Sequence, residues 1–399
     1  MKAKILAIAL FLVTAGAVAL YPAYQSIGAV APIPPVAAQL PQSATKPVIE
    51  VVFVLDTTGS MGGLIQAAKE KIWSIASSMA QAQPAPDIRM GLVAYRDRGD
   101  AYVTRVVDLS SDLDSVYATL MDFRAEGGGD GPESVNQALH DAIHKISWGQ
   151  NPNAYKVVFL VGDAPPHMDY PNDVKYPVTL ADAKARGIVV NTVQCGNDSF
   201  AGEEWKNIAQ IGAGRYFQVE QAGSAVAMAT PYDKEMAELS GKLDRSRVYY
   251  GTPEARMKMD EKIVATDKLK AASVASQARR AAFNASPSGA VNRMGKGELV
   301  EDVASGRADL AKIAPSELPE PMRSLSPEKL KETVEQSARE RKEVMGKLQA
   351  LTAQREEYLK KKVEAEGGAK SSLDHKIYDA VRAQAKAKGL SYEKDAPAY

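Results

Sequence analysis

Cys195 is the one cysteine in 399 residues, so no disulfide can close within the chain and the fold does not depend on one. The thiol follows the mainly apolar stretch 188–193 and is expected buried and structural. It leaves the compartment open. An excess of charge of one sign is also lacking, since 49 Lys and Arg balance 49 Asp and Glu. No global field favours nucleic acid, and none is expected as a partner. Long apolar runs are missing except at the start, where Met1-Lys2-Ala3-Lys4 precedes the uncharged stretch 5–20. Residues 1–24 therefore read as a signal peptide or an N-terminal membrane anchor, with cleavage offered at Ala15-Gly16-Ala17 or Val36-Ala37-Ala38. No cysteine follows the apolar run closely, which excludes a bacterial lipid anchor. Residues 25–46 form a Pro/Ala-rich linker.

Catalytic templates are missing too. The chain has no Gly-x-x-x-x-Gly-Lys loop, no Gly-x-Ser-x-Gly elbow and no Cys–His pair of plausible spacing. His140-Asp141-Ala142-Ile143-His144 places two imidazoles at i and i+4, but no third zinc ligand is apparent nearby. Both histidines read as residues flanking the apolar stripe of a helix. Arg98-Gly99-Asp100 matches a cell-adhesion tripeptide, yet it extends Tyr95-Arg96-Asp97 in a turn between strands and reads as a charged hairpin. No nucleophile comes with a base, so the chain is expected not to be an enzyme.

What is present is a run, Val51-Val52-Phe53-Val54-Leu55, that stops on Asp56, with Thr58 and Ser60 following at i+2 and i+4. Five apolar residues in a row suit a strand buried on both faces of a parallel sheet. Asp56, Thr58 and Ser60 then lie on the loop at the carboxyl end of that strand, where open α/β sheets bind ligands. A carboxylate and two hydroxyls are hard oxygen donors of the kind Mg²⁺ accepts while keeping some waters. A strand running into a Ser/Thr-rich helix cap would look the same. The loop also lacks the second Asp at i+2 that phosphoryl-transfer enzymes with an aspartyl nucleophile carry.

Asp56-Thr57-Thr58-Gly59-Ser60 resembles the metal-ion-dependent adhesion site of von Willebrand factor type A domains. The family pattern is Asp-x-Ser-x-Ser, a Thr from a second loop and an Asp after a later strand. The strand 156–161 ending at Gly162-Asp163 supplies the last, and Gly127-Gly128-Gly129-Asp130-Gly131-Pro132-Glu133 lies where the second loop belongs. The resemblance covers roughly residues 47–245. It implies a metal set of Asp56, Thr58, Ser60, Asp130 and Asp163, with Thr58 and Ser60 ligating directly and both flanking aspartates acting largely through water. The usual Thr is replaced by Asp130, as in a subset of these domains carrying Gly-Gly-Gly-Asp, and the resemblance implies a bacterial, exported protein. A third carboxylate should tighten the hold on the ion and weaken its pull on an acidic ligand, the local charge being about −1 rather than about 0. Asp130 also reads as a helix N-cap, with Glu133 completing a capping box. His167, after Asp163-Ala164-Pro165-Pro166, falls on the same face as a residue of the rim.

Around these motifs, apolar stripes predict helices over 62–81, 112–123, 132–147, 201–212 and 224–245. Strands are predicted at 88–95, 188–195 and 215–219, with 102–109 as an antiparallel edge partner. The expected class is α/β, a Rossmann-like, mostly parallel central sheet flanked by helices and followed by an α-helical C-terminal region. The domain layout is 47–245 for the A-like domain, 246–325 for a helical and irregular linker region, and 326–399 for a long charged helix plus a terminal helix. Residues 253–283 read as one helix, 284–297 as a break and 298–313 as a short helix. Ser326-Pro327-Glu328 opens a long helix to about Glu366, with Ser326 as N-cap. Leu330, Val334, Val344, Leu348, Leu351 and Leu359 suggest a coiled-coil seam that Arg341 and Arg355 interrupt, so packing against neighbouring helices fits as well. A final helix, 373–388, follows Gly367-Gly368.

The functional expectation is an exported, non-enzymatic protein-binding module. In it Mg²⁺, with Mn²⁺ or Ca²⁺ as alternatives, engages a partner carboxylate in the periplasm or cell envelope. Membrane anchoring through the N-terminus and self-association through the C-terminal helix would add to it. A cell-envelope scaffold with a purely structural ion, or an accessory subunit of an ATP-driven machine, are the alternatives.

Overall fold

The structure, a computed structural model, describes residues 46–129, 131–222, 228–365 and 372–394. The N-terminal apolar segment with its cleavage sites, nearly all of the linker, Asp130 and the Gly367-Gly368 break lie outside them. No helix among the described residues is long and apolar enough to cross a membrane.

Six strands form one sheet: β1 (Val48–Asp56), β2 (Asp87–Tyr95), β3 (Thr104–Ser110), β4 (Tyr155–Gly162), β5 (Ile188–Cys195) and β6 (Ala213–Val219). Their order is β3-β2-β1-β4-β5-β6, parallel throughout except for the antiparallel edge strand β3. From β1 the chain winds outward through β2 to one edge, then returns to β4 and winds to the other. The crevice between the carboxyl ends of β1 and β4 is therefore the topological switch point of the sheet.

The period-2 alternation of β1 divides the core. Val51, Phe53 and Leu55 join one apolar cluster with α1 (Gly62–Ala80) and α2 (Leu113–Leu120), and Phe53 stacks on Phe159. Val52 and Val54 join another with α3 (Val135–His144), α4 (Tyr176–Ala185) and α5 (Ser199–Ile211). Helix α4 has no counterpart in the sequence reading. It buries Tyr176, Thr179, Leu180 and Ala183 at proper helical spacing, but Thr179 and the early Pro177 obscure the stripe. The predicted helix 224–245 begins later among the described residues, as α6 (Asp233–Arg245).

Beyond α6 the described residues include the helices α7 (Pro253–Lys268), α8 (Val274–Ala285), α9 (Ala290–Met294), α10 (Leu299–Ala304), α11 (Pro327–Ala365) and α12 (Leu373–Ala385). The single helix expected over 253–283 is two, because a 3-10 turn at Leu269–Ala271 ends one and Ser273 caps the next. At the start of α11 the Ser326 hydroxyl accepts from Lys329 N at 3.3 Å, as its sequence predicts. These helices share the core of the sheet. Leu269, Phe283, Leu373, Ile377 and Val381 belong to the same apolar cluster as β1 and α1, and the Phe283 ring lies 5.8 Å from that of Trp73.

Buried ion pairs fix the helices in register. Arg280 Nε and Nη2 donate to the two oxygens of Asp114 at 2.6 and 2.7 Å, while its Nη1 donates to Asp244 at 2.8 Å. Lys262 and Asn292 also reach Asp114, whose carboxyl is fully buried yet held far below the usual carboxylate range, Arg280 and Lys262 outweighing burial. Lys71 on α1 pairs with Asp374 on α12 at 3.0 Å. Arg341 and Arg355, which seemed to interrupt a seam on α11, are anchors instead. Arg341 grips Glu298 through two bonds of 2.7 Å, and Arg355 pairs with Asp233 at 2.9 Å. Leu330 and Val334 pack against α10, and Leu348 against α6 and α8, so the apolar side of α11 faces neighbours in its own chain.

Removing one partner of such a pair strands the others without compensation. Asp114→Ala is expected to lower the unfolding free energy by about 3–5 kcal/mol in a urea titration. A loss below about 1 kcal/mol would show that the network contributes little.

Candidate functional site

Asp56 closes β1 opposite Tyr95 of β2, and Asp163 follows Gly162 at the end of β4, so both carboxylates reach the switch point from adjacent strands. The loop after Asp56 folds back on it. Thr58 donates to Asp56 Oδ1 through its backbone N–H at 2.9 Å and its hydroxyl at 2.6 Å, and Thr58 Oγ1 lies 3.5 Å from Ser60 Oγ. The other oxygen, Asp56 Oδ2, is buried without a hydrogen bond of good geometry, as is the neighbouring Tyr95 hydroxyl. A side chain at Gly162 would bring a Cβ within 2.4 Å of that hydroxyl and 3.1 Å of Asp56 Oδ2, so glycine is required there. Asp163 Oδ2 accepts from Gln221 Nε2 at 2.6 Å.

The glycine-rich loop is held by backbone and by an aspartate. Gly59 N donates to Gly127 O at 3.0 Å and Glu126 N to Thr57 O at 3.1 Å. Asp100 Oδ2 accepts from Asp97 N and Gly128 N at 3.1 and 3.0 Å. Asp100 thus ties its own turn to the second site loop, a function the charged-hairpin reading missed. Gly127, at φ +78°, permits this close approach. Asp97 in turn accepts from Ser134 Oγ at 2.8 Å and Tyr170 OH at 2.7 Å. His167, on the rim, stacks on Tyr170 and lies 3.4 Å from Asp97.

Glu133 departs from its expected role. Helix α3 begins at Val135 with Ser134 before it, so Glu133 precedes the helix and completes no capping box. It is buried with Oε2 unpartnered. Burial, then Asp56, Asp97, Asp100 and Asp163, push its carboxyl up to about 9. Burial above all, with Asp163 adding to it, likewise raises Asp56 to about 7 against the hydrogen bonds from Thr58. Sequence reasoning overlooked Tyr95 as a site residue and gave Glu133 a capping role instead. Tyr95 carried a signal, as the residue ending the strand next to β1, whereas Glu133 had only its place after the glycines.

Of the five sequence-predicted residues, Asp56, Thr58, Ser60 and Asp163 are brought together, and Asp130 lies outside the described residues. Among the described residues no group of three or more His, Cys, Asp or Glu side chains is disposed to hold a metal. The donor set is mixed, two carboxylates with two hydroxyls, and its buried oxygen and crowded like charges are of the kind a hard cation relieves. His140 and His144 stack 4.5 Å apart, with His144 beside Asp182 and Arg186.

The fold and the loops find a counterpart in known proteins: residues 50–229 match the von Willebrand factor A domain. This segment is a von Willebrand factor A domain. The A domain is 39% identical over 97 residues to von Willebrand factor A domain-containing protein 7 of Rattus norvegicus, covering 24% of this chain and 10% of that protein. It is 31% identical over 121 residues to the alpha-protein kinase vwkA of Dictyostelium discoideum, covering 30% and 19%. The chain thus spans less than a fifth of the length of these curated relatives. Among solved structures, the SpRpn10 VWA domain aligns over 45% of this chain and 91% of its own, at 14% identity and a TM-score of 0.35. An A domain is generally a protein-interaction module.

The raised carboxyls make stability depend on pH with a definite sign. Both titrate higher in the folded chain than at their ordinary values of 3.8 and 4.5, so the fold holds protons that the unfolded chain releases. Their contribution is present in full below pH about 4 and is lost as pH rises through about 7 for Asp56 and about 9 for Glu133. The Tm of chelator-treated protein should fall from pH 5 to pH 9, and Asp56→Asn should flatten the earlier part of the decline. An unchanged profile in that variant would contradict the assignment.

Proposed function

We propose that the chain is a non-enzymatic, exported binding protein that holds one divalent cation, Mg²⁺ in the first instance, at the switch point and uses it to engage an acidic side chain of a partner protein. The observation that carries this reading is Asp56. Its Oδ2 is fully buried without a hydrogen bond of good geometry, beside the Tyr95 hydroxyl, and its site neighbours Ser60, Glu133 and Asp163 line a cleft of about 530 Å³ together with Phe200. Thr58 and Ser60 would hold the ion through their hydroxyls, and Asp56 and Asp163 largely through water, with Asp130 in the remaining loop. The cation would supply the positive charge that a partner carboxylate meets. Phe200, 63% exposed at the cleft edge, offers an apolar contact beside the charge. Export rests on the N-terminal apolar segment alone, and fractionation of cells tests it directly.

Binding should need both the ion and Asp56. A pull-down from envelope extract is expected to recover a protein with Mg²⁺, to lose it in EDTA and to regain it when Mg²⁺ is restored. Asp56→Ala should recover at least about tenfold less at the same Mg²⁺ concentration, the scale of losing one charge-assisted contact. Partner recovery unaffected by EDTA, with only the melting temperature lowered, would instead support a scaffold with a structural ion.

A further inference from the structure

Among the described residues Arg279, Arg280, Arg341 and Arg355 are buried where the C-terminal helices meet the sheet and each other, and the last three have a carboxylate. Arg280 has Asp114 and Asp244, Arg341 has Glu298, and Arg355 has Asp233. Arg279 is 2% exposed and has no ion pair among the described residues. Its Nε and Nη1 are buried without a hydrogen bond. An uncompensated guanidinium in such a place is costly unless something satisfies it. Arg279 borders a cavity of about 180 Å³ between α1, α8 and α11, on a different side of the molecule from the Asp56 loops.

We propose that this cavity is a binding site for a small organic carboxylate, with the Arg279 guanidinium receiving the two oxygens. The donors and acceptors around it favour an anion. Ser77 Oγ is buried and unpartnered, which leaves its hydrogen free to donate. Gln81 lines the same cavity, and its Oε1 is buried without a partner as well. Thr352 and Ser286 spend their hydrogens on Leu348 O and Phe283 O, each at 2.7 Å.

Charge and shape narrow the class. Arg355 pairs with Asp233, and Glu356 on the rim with Lys394 at 2.8 Å, so among the charged residues lining the cavity Arg279 is left without a contact ion pair, Asp374, Asp233 and Glu70 acting on it only at longer range. That suits a monoanion. Ala80, Ala282 and Ala285 line the same cavity and give it an apolar wall, which suits a short aliphatic chain behind the carboxylate. The volume corresponds to about six waters at ~30 Å³ each, room for a chain of roughly four carbons. Beside Arg355, burial depresses the affinity of Arg279 for its proton to about 10, so the guanidinium stays charged at neutral pH. A bidentate guanidinium–carboxylate pair is the geometry arginine is built for.

The test uses the full chain in EDTA, which silences any metal-dependent carboxylate binding at the Asp56 loops. Sodium butyrate at about 20 mM, against sodium chloride of equal ionic strength, is expected to raise Tm by about 2 °C. Titration calorimetry should show one site. Arg279→Met should abolish the rise and the heat while melting no lower than the wild type without butyrate, because it removes an unpaired buried charge. Ser77→Ala should weaken binding about threefold. The proposal is overturned by a rise of equal size in Arg279→Met, by no rise across the acetate-to-hexanoate series, or by inorganic phosphate stabilising more than any carboxylate. A merely structural Arg279 would show itself as a lower melting temperature in Arg279→Met with no carboxylate effect in either protein.

Discussion

Burial of a carboxylate at the end of a central strand is the constraint around which this molecule is arranged. Asp56 has no exposure, shares its surroundings with Asp163 and Glu133, and satisfies one of its two oxygens. In a low-dielectric site such crowding disfavours ionisation, and Asp56 and Glu133 keep their protons to higher pH than free carboxyls do. Three loops are braced to keep the arrangement in place. Thr58 ties the first to Asp56, Asp100 ties the glycine loop to the turn after β2, and Gln221 holds Asp163. Each brace is a hydrogen bond to a carboxylate oxygen. The site is thus an electrostatic strain that the backbone maintains, and the protonation of Asp56 and Glu133 becomes a property of the fold.

The C-terminal helices meet the same problem differently. There, buried charges are paired in full geometry: Asp114 receives Arg280, Lys262 and Asn292, and Glu298 receives both arms of Arg341. Such pairs add little to stability compared with well-packed apolar residues, but they penalise every misplaced register in which a partner is left alone. This suits a set of polar helices with modest apolar stripes. Arg279, buried with no ion pair among the described residues, departs from this pattern.

Much of the A domain could be read in advance because its signals are local. The runs at 51–55 and 156–161 are too apolar for an exposed strand, and an aspartate follows the first directly and the second after Gly162. Asp56, Thr58 and Ser60 had to share a loop because they are neighbours in the chain. Helix α4 escaped because its stripe includes a threonine and follows a proline. The 253–283 stretch read as one helix because composition carries no mark of the 3-10 turn at Leu269–Ala271, which Ser273 then caps. Glu133 was given to a helix cap on spacing alone, yet the helix starts two residues after it, at Val135.

The sequence by itself determined the class of the sheet, the strands that build it and the three loops that meet at its carboxyl edge. Periodicity and chain proximity act over a few residues, and those features need nothing longer. Tertiary structure decided which charges are satisfied. Arg341 and Arg355 looked like breaks in a seam and became anchors because Glu298 and Asp233 stand opposite them, separations in sequence that no local pattern encodes. Burial decided the rest: whether a carboxyl is ionised depends on the water and the charges around it, and those are settled only when distant segments come together.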